Sequence, residues 1–98
     1  MSIGIVVILY NPDVEHVNHL INEFASDDWR IAIVDNSPHP TQLNLASNCT
    51  YSHYSSNLGI AEAQNVGLRA LFSQSIGYCF LLDQDSSFSP TIATSLYQ

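Results

Sequence analysis

The sequence contains no lysine, and its only cations, Arg30 and Arg69, stand against nine acids for a formal charge of −7. Nucleic acid and anionic lipid surfaces both call for a basic patch, so this balance argues against either as a partner. Any phosphate-bearing ligand must instead be met by a metal ion, by backbone N–H groups or by a helix N-terminus. There is also no apolar run of about 18 residues, the length needed to cross a bilayer. The opening MSIGIVVILYNP lacks a basic n-region and a small-residue cleavage site, and it reads as a first strand, not a signal peptide. Cysteine is scarce: Cys49 and Cys79 both lie in strand-like sequence. Without a leader, they read as reduced, buried thiols of a cytoplasmic protein.

What is present is apolar. At 46% apolar and 11% charged, residues 1–98 are globular in type and make one small domain or a piece of a larger one. Ile3 to Leu9 (IGIVVIL) is nearly all apolar and β-branched, as expected of a strand covered on both faces. Asn11-Pro12 then reads as N-cap and first helical position. Val14, Val17, Ile21 and Phe24 follow at helical spacing and mark one buried stripe. A second strand is expected from Trp29 to Val34, and a shorter, more polar one from Asn48 to Tyr54. Asn57-Leu58-Gly59 turns into a second helix in which Ile60, Ala63, Gly67 and Leu71 share a face. Gly77 to Leu82 reads as a fourth, buried strand, and Ser89-Pro90 opens a third helix. No repeat or low-complexity linker interrupts the pattern.

Strands and helices alternating at this spacing predict an open, mostly parallel α/β sheet, in which ligands bind outside the carboxyl ends of the strands. Polar residues gather at those ends: Tyr10-Asn11, Asp35-Asn36, Ser55 to Gly59, and Asp83-Gln84-Asp85. Helix capping explains part of this, but not the last cluster, because the next helix opens too far away for Asp83 or Asp85 to cap it. Two carboxylates one residue apart repel unless water or a cation separates them.

Taken together, VVILYNP, IVDNSP, NLGIAEAQNVGL and FLLDQDSSFSP resemble the nucleotide-sugar-binding half of family 2 glycosyltransferases with the GT-A fold. Within that family the chain looks most like bacterial rhamnosyltransferases. The resemblance covers essentially the whole chain and rests on four motifs in order, each at a strand end. It implies a Rossmann-like sheet in the order 3-2-1-4. It also implies a nucleoside-diphosphate-sugar donor (dTDP-rhamnose or a related one) and inverting transfer to a saccharide or lipid-linked saccharide acceptor in polysaccharide synthesis. Asp83 and Asp85 match the D-x-D that holds Mg²⁺ or Mn²⁺ against the donor diphosphate, and i, i+2 alternation along a strand would turn both to one side. Asp35 matches the aspartate that accepts the imide N–H of uracil or thymine. Tyr10 falls where an aromatic often meets the base. Asn57 and Gly59 match the N-x-G turn beside the donor, and Asn65 a supporting helix amide. In the family, the catalytic base and acceptor site lie in a C-terminal half. None of the nine acids here is a good substitute, so no catalytic residue is assigned. A chain of this extent is expected to bind donor without turning over, to self-associate through the edge of strand four and, in a full-length enzyme, to work in the cytoplasm or at the inner face of the membrane.

Two other classes fit parts of the pattern. A nucleotidyltransferase-like domain would show a Gly-rich, Arg/Lys-bearing loop after the first strand, and YNPDVEH has neither. A non-catalytic metal- or nucleotide-binding α/β domain would use the same acids as a structural cation site. His16, His19 and Glu23 imitate zinc-ligand spacing but fall on the wet face of the first helix, and His39 and His53 are isolated. The 3-2-1-4 order also makes a geometric prediction. It puts Cys49 and Cys79 three strand spacings apart, about 14 Å, beyond the ~7 Å that a disulfide spans.

Overall fold

The computed structural model describes residues 3–56, 58–74, 76–85 and 89–91. Four strands and two helices alternate as β1 (Ile3–Leu9), α1 (Val14–Glu23), β2 (Trp29–Asp35), β3 (Cys49–His53), α2 (Ile60–Phe72) and β4 (Cys79–Asp83). The strands form one parallel sheet in the order β3-β2-β1-β4, as the resemblance implied. The expected helix after Ser89-Pro90 lies almost wholly outside the described residues.

The apolar run of β1 is explained by its place between two layers. Its odd-numbered residues Ile3, Ile5, Val7 and Leu9 pack with Val17, Leu20 and Ile21 of α1, with Phe24 at the C-cap of that helix, and with Trp29, Ile31 and Ile33 of β2. Its even-numbered residue Val6 packs with Ala32, Leu71 and Ile76 on the opposite face, where Ile8 and Leu68 join it. A pleated strand sends successive side chains to opposite faces, so a strand covered twice must be apolar at every position. Each Val, Leu, Ile or Phe buried in this way contributes about 1.5–3 kcal/mol. The Phe24 ring meets Trp29 edge-on at 4.8 Å, closing the α1 layer at its lower end.

On the other face α2 comes close to β1 because the contact positions are small. A Cβ on Gly67 would lie 2.5 Å from Val6 Cγ1, and one on Gly4 would lie 2.7 Å from Leu71 Cδ1. Gly59 has a different reason to be glycine. It caps α2 with φ 80° and ψ 157°, a backbone conformation costly for any residue bearing a Cβ.

The structure corrects several sequence expectations. The N-cap of α1 is Asp13, whose carboxylate accepts the His16 N–H; Asn11 instead adopts φ 43° in the turn after β1. Val14 therefore sits in the first helical turn, exposed, while Leu20 takes a buried place in the stripe. Ile60, expected on the buried face of α2, is exposed: it is the first residue of the helix and borders an open cleft. β4 takes the edge place that the expected strand order gives it, but it is not buried as its apolar sequence suggested: Leu81 is 47% exposed. Cys49 and Cys79 are free, as the strand order requires, but half-buried, and burial pushes both thiols above the usual cysteine range. Among the described residues no helix is long and apolar enough to cross a membrane.

Candidate functional site

A cleft of about 520 Å³ opens at the carboxyl ends of β1 and β4, on the α2 side of the sheet. Ile8, Leu9 and Tyr10 from the end of β1, Asn36 from beyond β2, Ile60 and Gln64 from α2, and Asp83, Gln84 and Asp85 from the end of β4 line it. Strand parity explains this membership. Ile8 faces the α2 layer and is paired in register with Asp83, so Asp83 arrives on the same side. Phe80 and Leu82, one residue out of phase, pack on the α1 side.

Both acids of the D-x-D therefore line one cleft, and both are exposed. The route differs from the one expected. β4 ends at Asp83 and the chain turns at Gln84 and Asp85, so the turn, and not strand alternation, brings Asp85 to the cleft. The donor set consists of hard carboxylate oxygens without a cationic side chain among the cleft residues. Mg²⁺ and Mn²⁺ suit such a set, since they bind through one or two carboxylates and complete their shell with water and phosphate oxygens. Among the described residues no three His, Cys, Asp or Glu side chains come together. His19 bonds Glu23 at 2.7 Å on the outer face of α1.

Asp35 is placed differently. It is wholly buried and is not among the cleft residues. Its Oδ1 accepts the Ser37 N–H at 3.0 Å, and its Oδ2 accepts the Thr41 N–H at 3.0 Å and the Tyr51 hydroxyl at 2.6 Å. Burial alone would raise its pKa, but the hydrogen bonds from Ser37, Tyr51 and Thr41 outweigh it and hold the carboxyl below the usual range. Tyr51 responds oppositely: burial and the neighbouring carboxylate push its hydroxyl up. Parity again gives the reason. Asp35 continues the α1-facing series Ile31 and Ile33, whereas the next residue, Asn36, turns to the α2 side and reaches the cleft.

The Asp35 network fixes the loop that presents Asn36. Ser37 Oγ bonds the carboxylate and accepts the Asn11 N–H at 2.8 Å, tying the β2 loop to the turn after β1. His53, which sequence reasoning left without a role, holds the same loop through Nε2 to Ser37 O at 2.8 Å; a carbonyl only accepts, so Nε2 carries the proton. Asn36 N–H donates to Leu9 O at 2.8 Å, and its side-chain oxygen faces Leu58 N–H at 3.5 Å.

Of the residues singled out in the sequence, the cleft gathers Tyr10, Asp83 and Asp85. Gly59 caps the helix that borders it, Asn65 is exposed outside it, and Asn57 lies outside the described residues. Asn36, Gln64 and Gln84 are cleft residues that sequence reasoning did not select. Alternation along β2, from Ile31 and Ile33 to Asn36, was a signal available for the first; nothing in the chain alone marks the other two.

The chain matches no protein-family model and no solved structure. It is 31% identical over 88 residues to the dTDP-rhamnosyl transferase RfbF of Shigella flexneri. That alignment takes in 87% of this chain and 30% of the relative, so the chain spans about a third of the length of the protein it matches. The sequence similarity supports a glycosyltransferase relationship.

Proposed function

We propose that the chain binds the nucleoside-diphosphate part of a sugar donor in this cleft, as the donor-binding portion of a family 2, GT-A-type glycosyltransferase. The observation that carries this reading is the convergence of Tyr10, Asn36, Asp83 and Asp85 on one cleft at the carboxyl edge of a parallel sheet. The relationship to a dTDP-rhamnosyl transferase points to dTDP-rhamnose as the first donor to test, with a saccharide or lipid-linked saccharide as acceptor.

Each group then has a task. Asp83 and Asp85 would hold Mg²⁺ or Mn²⁺, which when bound neutralises the donor diphosphate and stabilises it as a leaving group. Tyr10, half-exposed at the cleft, offers a ring face for the base, and the Asn36 amide offers both a donor and an acceptor. The first turn of α2 borders the cleft at Ile60, so the positive end of the helix dipole favours the anionic end of the ligand. Asp35, wholly buried and outside the cleft, shapes the loop that presents Asn36. With Asp83 and Asp85 engaged at the diphosphate, no other acid among the described residues lines the cleft to act as a base, and in this reading the chain by itself binds donor without transferring sugar.

Titration calorimetry with UDP and dTDP, each with and without Mn²⁺, tests the reading. Metal-dependent binding that is lost in Asp83→Asn is the expected result. Absence of binding at saturating metal would overturn it, as would binding that ignores both metal and Asp83. Sugar transfer by purified residues 1–98 would overturn the claim that binding and turnover are separate here.

A further inference from the structure

The register of β1 with β4 ends at Ile8 opposite Asp83. Beyond that point a side chain takes over from the backbone. Gln84 Oε1 accepts the Tyr10 N–H at 2.7 Å, and Gln84 Nε2 donates to Tyr10 O at 3.1 Å. Both backbone groups of one residue are thus satisfied by one planar amide 74 positions away in sequence. A primary amide is the side-chain group that offers an acceptor and a donor side by side, as a peptide unit does. Glutamate would place an acceptor against the Tyr10 carbonyl, and asparagine is one methylene shorter. On its other side the end of β1 is held by Ser37 Oγ, which accepts the next N–H, that of Asn11.

We propose that Gln84 is a positioning residue of the cleft. Its amide supplies the next rung of the β1–β4 ladder, and so holds the Tyr10 ring and the turn bearing Asp85 in fixed relation to Asp83. The reason lies in where β4 stops. Asp83 is placed by the ladder itself, but Asp85 rides on a turn that Gln84 ties to β1 through both backbone groups of Tyr10. Without the latch, the two carboxylates would no longer be presented at one separation. A metal ion gains from two ligands only when both are held in place. The metal part of this inference rests on the donor-binding reading above; the latch itself does not.

The test uses Gln84→Met, close to the natural side chain in length and shape but unable to make either bond. In the metal-free protein, amide exchange followed by NMR should quicken at Tyr10 by about tenfold or more, while Ile5 and Val7 keep their protection. With Tb³⁺ as the probe, tyrosine-sensitised luminescence should show affinity weakened about tenfold. Emission per bound ion should also fall, because Tyr10 no longer sits at a fixed distance; Tyr10→Phe identifies its share of the signal. A merely structural role would lower the melting temperature and leave emission at saturation unchanged, and that outcome would overturn the positioning role. Unchanged exchange at Tyr10 would overturn the latch. If the wild-type chain bound no Tb³⁺, or bound it equally after Asp83→Asn, the metal reading and the positioning role would both fall, while exchange at Tyr10 would still decide the latch.

Discussion

Gly67→Ala adds one methyl group at the closest contact between α2 and the sheet. The new Cβ would lie 2.5 Å from Val6 Cγ1, 3.2 Å from Cγ2 and 3.4 Å from Cβ. Carbon atoms pack at about 3.5–4.0 Å, so roughly 1 Å of relief is needed. Val6 cannot supply it. Its χ1 is stiff because it is β-branched, and its backbone is paired to β2 on one side and β4 on the other. Overpacking costs about 1–3 kcal/mol, and a contact this short with a rigid neighbour belongs at the upper end. Alanine in a helix interior returns about 1 kcal/mol over glycine, leaving a net loss of about 2 kcal/mol. Urea unfolding should register this as a midpoint lowered by about 1.5 M with the slope unchanged. The Val6→Ala background supplies the decisive control. With the Val6 methyl groups gone the clash disappears, only helix propensity remains, and Gly67→Ala should stabilise by up to about 1 kcal/mol. Equal or greater stability of Gly67→Ala in the wild-type background would refute the reasoning, as would an unchanged loss in the Val6→Ala background.

Tyr51→Phe removes the donor to Asp35 and an acceptor of the Thr41 N–H; a hydrogen bond to a charged group is worth about 1.5–3 kcal/mol, so the urea midpoint should fall, and an unchanged midpoint would show the network to be idle. Because the folded pKa of Asp35 is lowered, its contribution is present above the unfolded value of about 3.9 and is lost as pH falls through the folded one. Stability should therefore decline as pH drops below about 4, and Asp35→Asn should be weaker at neutral pH with a shallower slope in that acid window; identical slopes would refute the assignment. Self-association through the edge of β4, where Leu81 is exposed, should appear as concentration-dependent mass in sedimentation and be suppressed by Leu81→Lys; a clean monomer at high concentration would count against it.

The order of strands and helices was legible in the sequence because each element carries a local signal. IGIVVIL is a doubly covered strand on composition alone, and Val17, Ile21 and Phe24 announce the buried stripe of α1. Asp83 and Asp85 stood out as carboxylates with nothing local to cap. Local patterns of this kind survive folding because they reflect the period of the element that carries them. Element ends were less legible. A helix can begin at Pro12 or Val14 with equal local plausibility, and the turn at Asn11, with its positive φ, decided which.

Which polar residues share a cleft depended on tertiary structure. Asp35 and Asn36 are adjacent, yet the pleat sends one into a buried network under α1 and the other into the cleft beside α2. Gln84 looked like a spacer between two acids until the β1–β4 register brought Tyr10 beside it. By itself the sequence determined an alternating α/β chain with paired carboxylates after its last described strand, since composition and period are local properties. The three-dimensional pairing of β1 with β2 and β4 decided which of those polar residues meet, because proximity across 74 positions of chain is a property of the sheet and not of any segment within it.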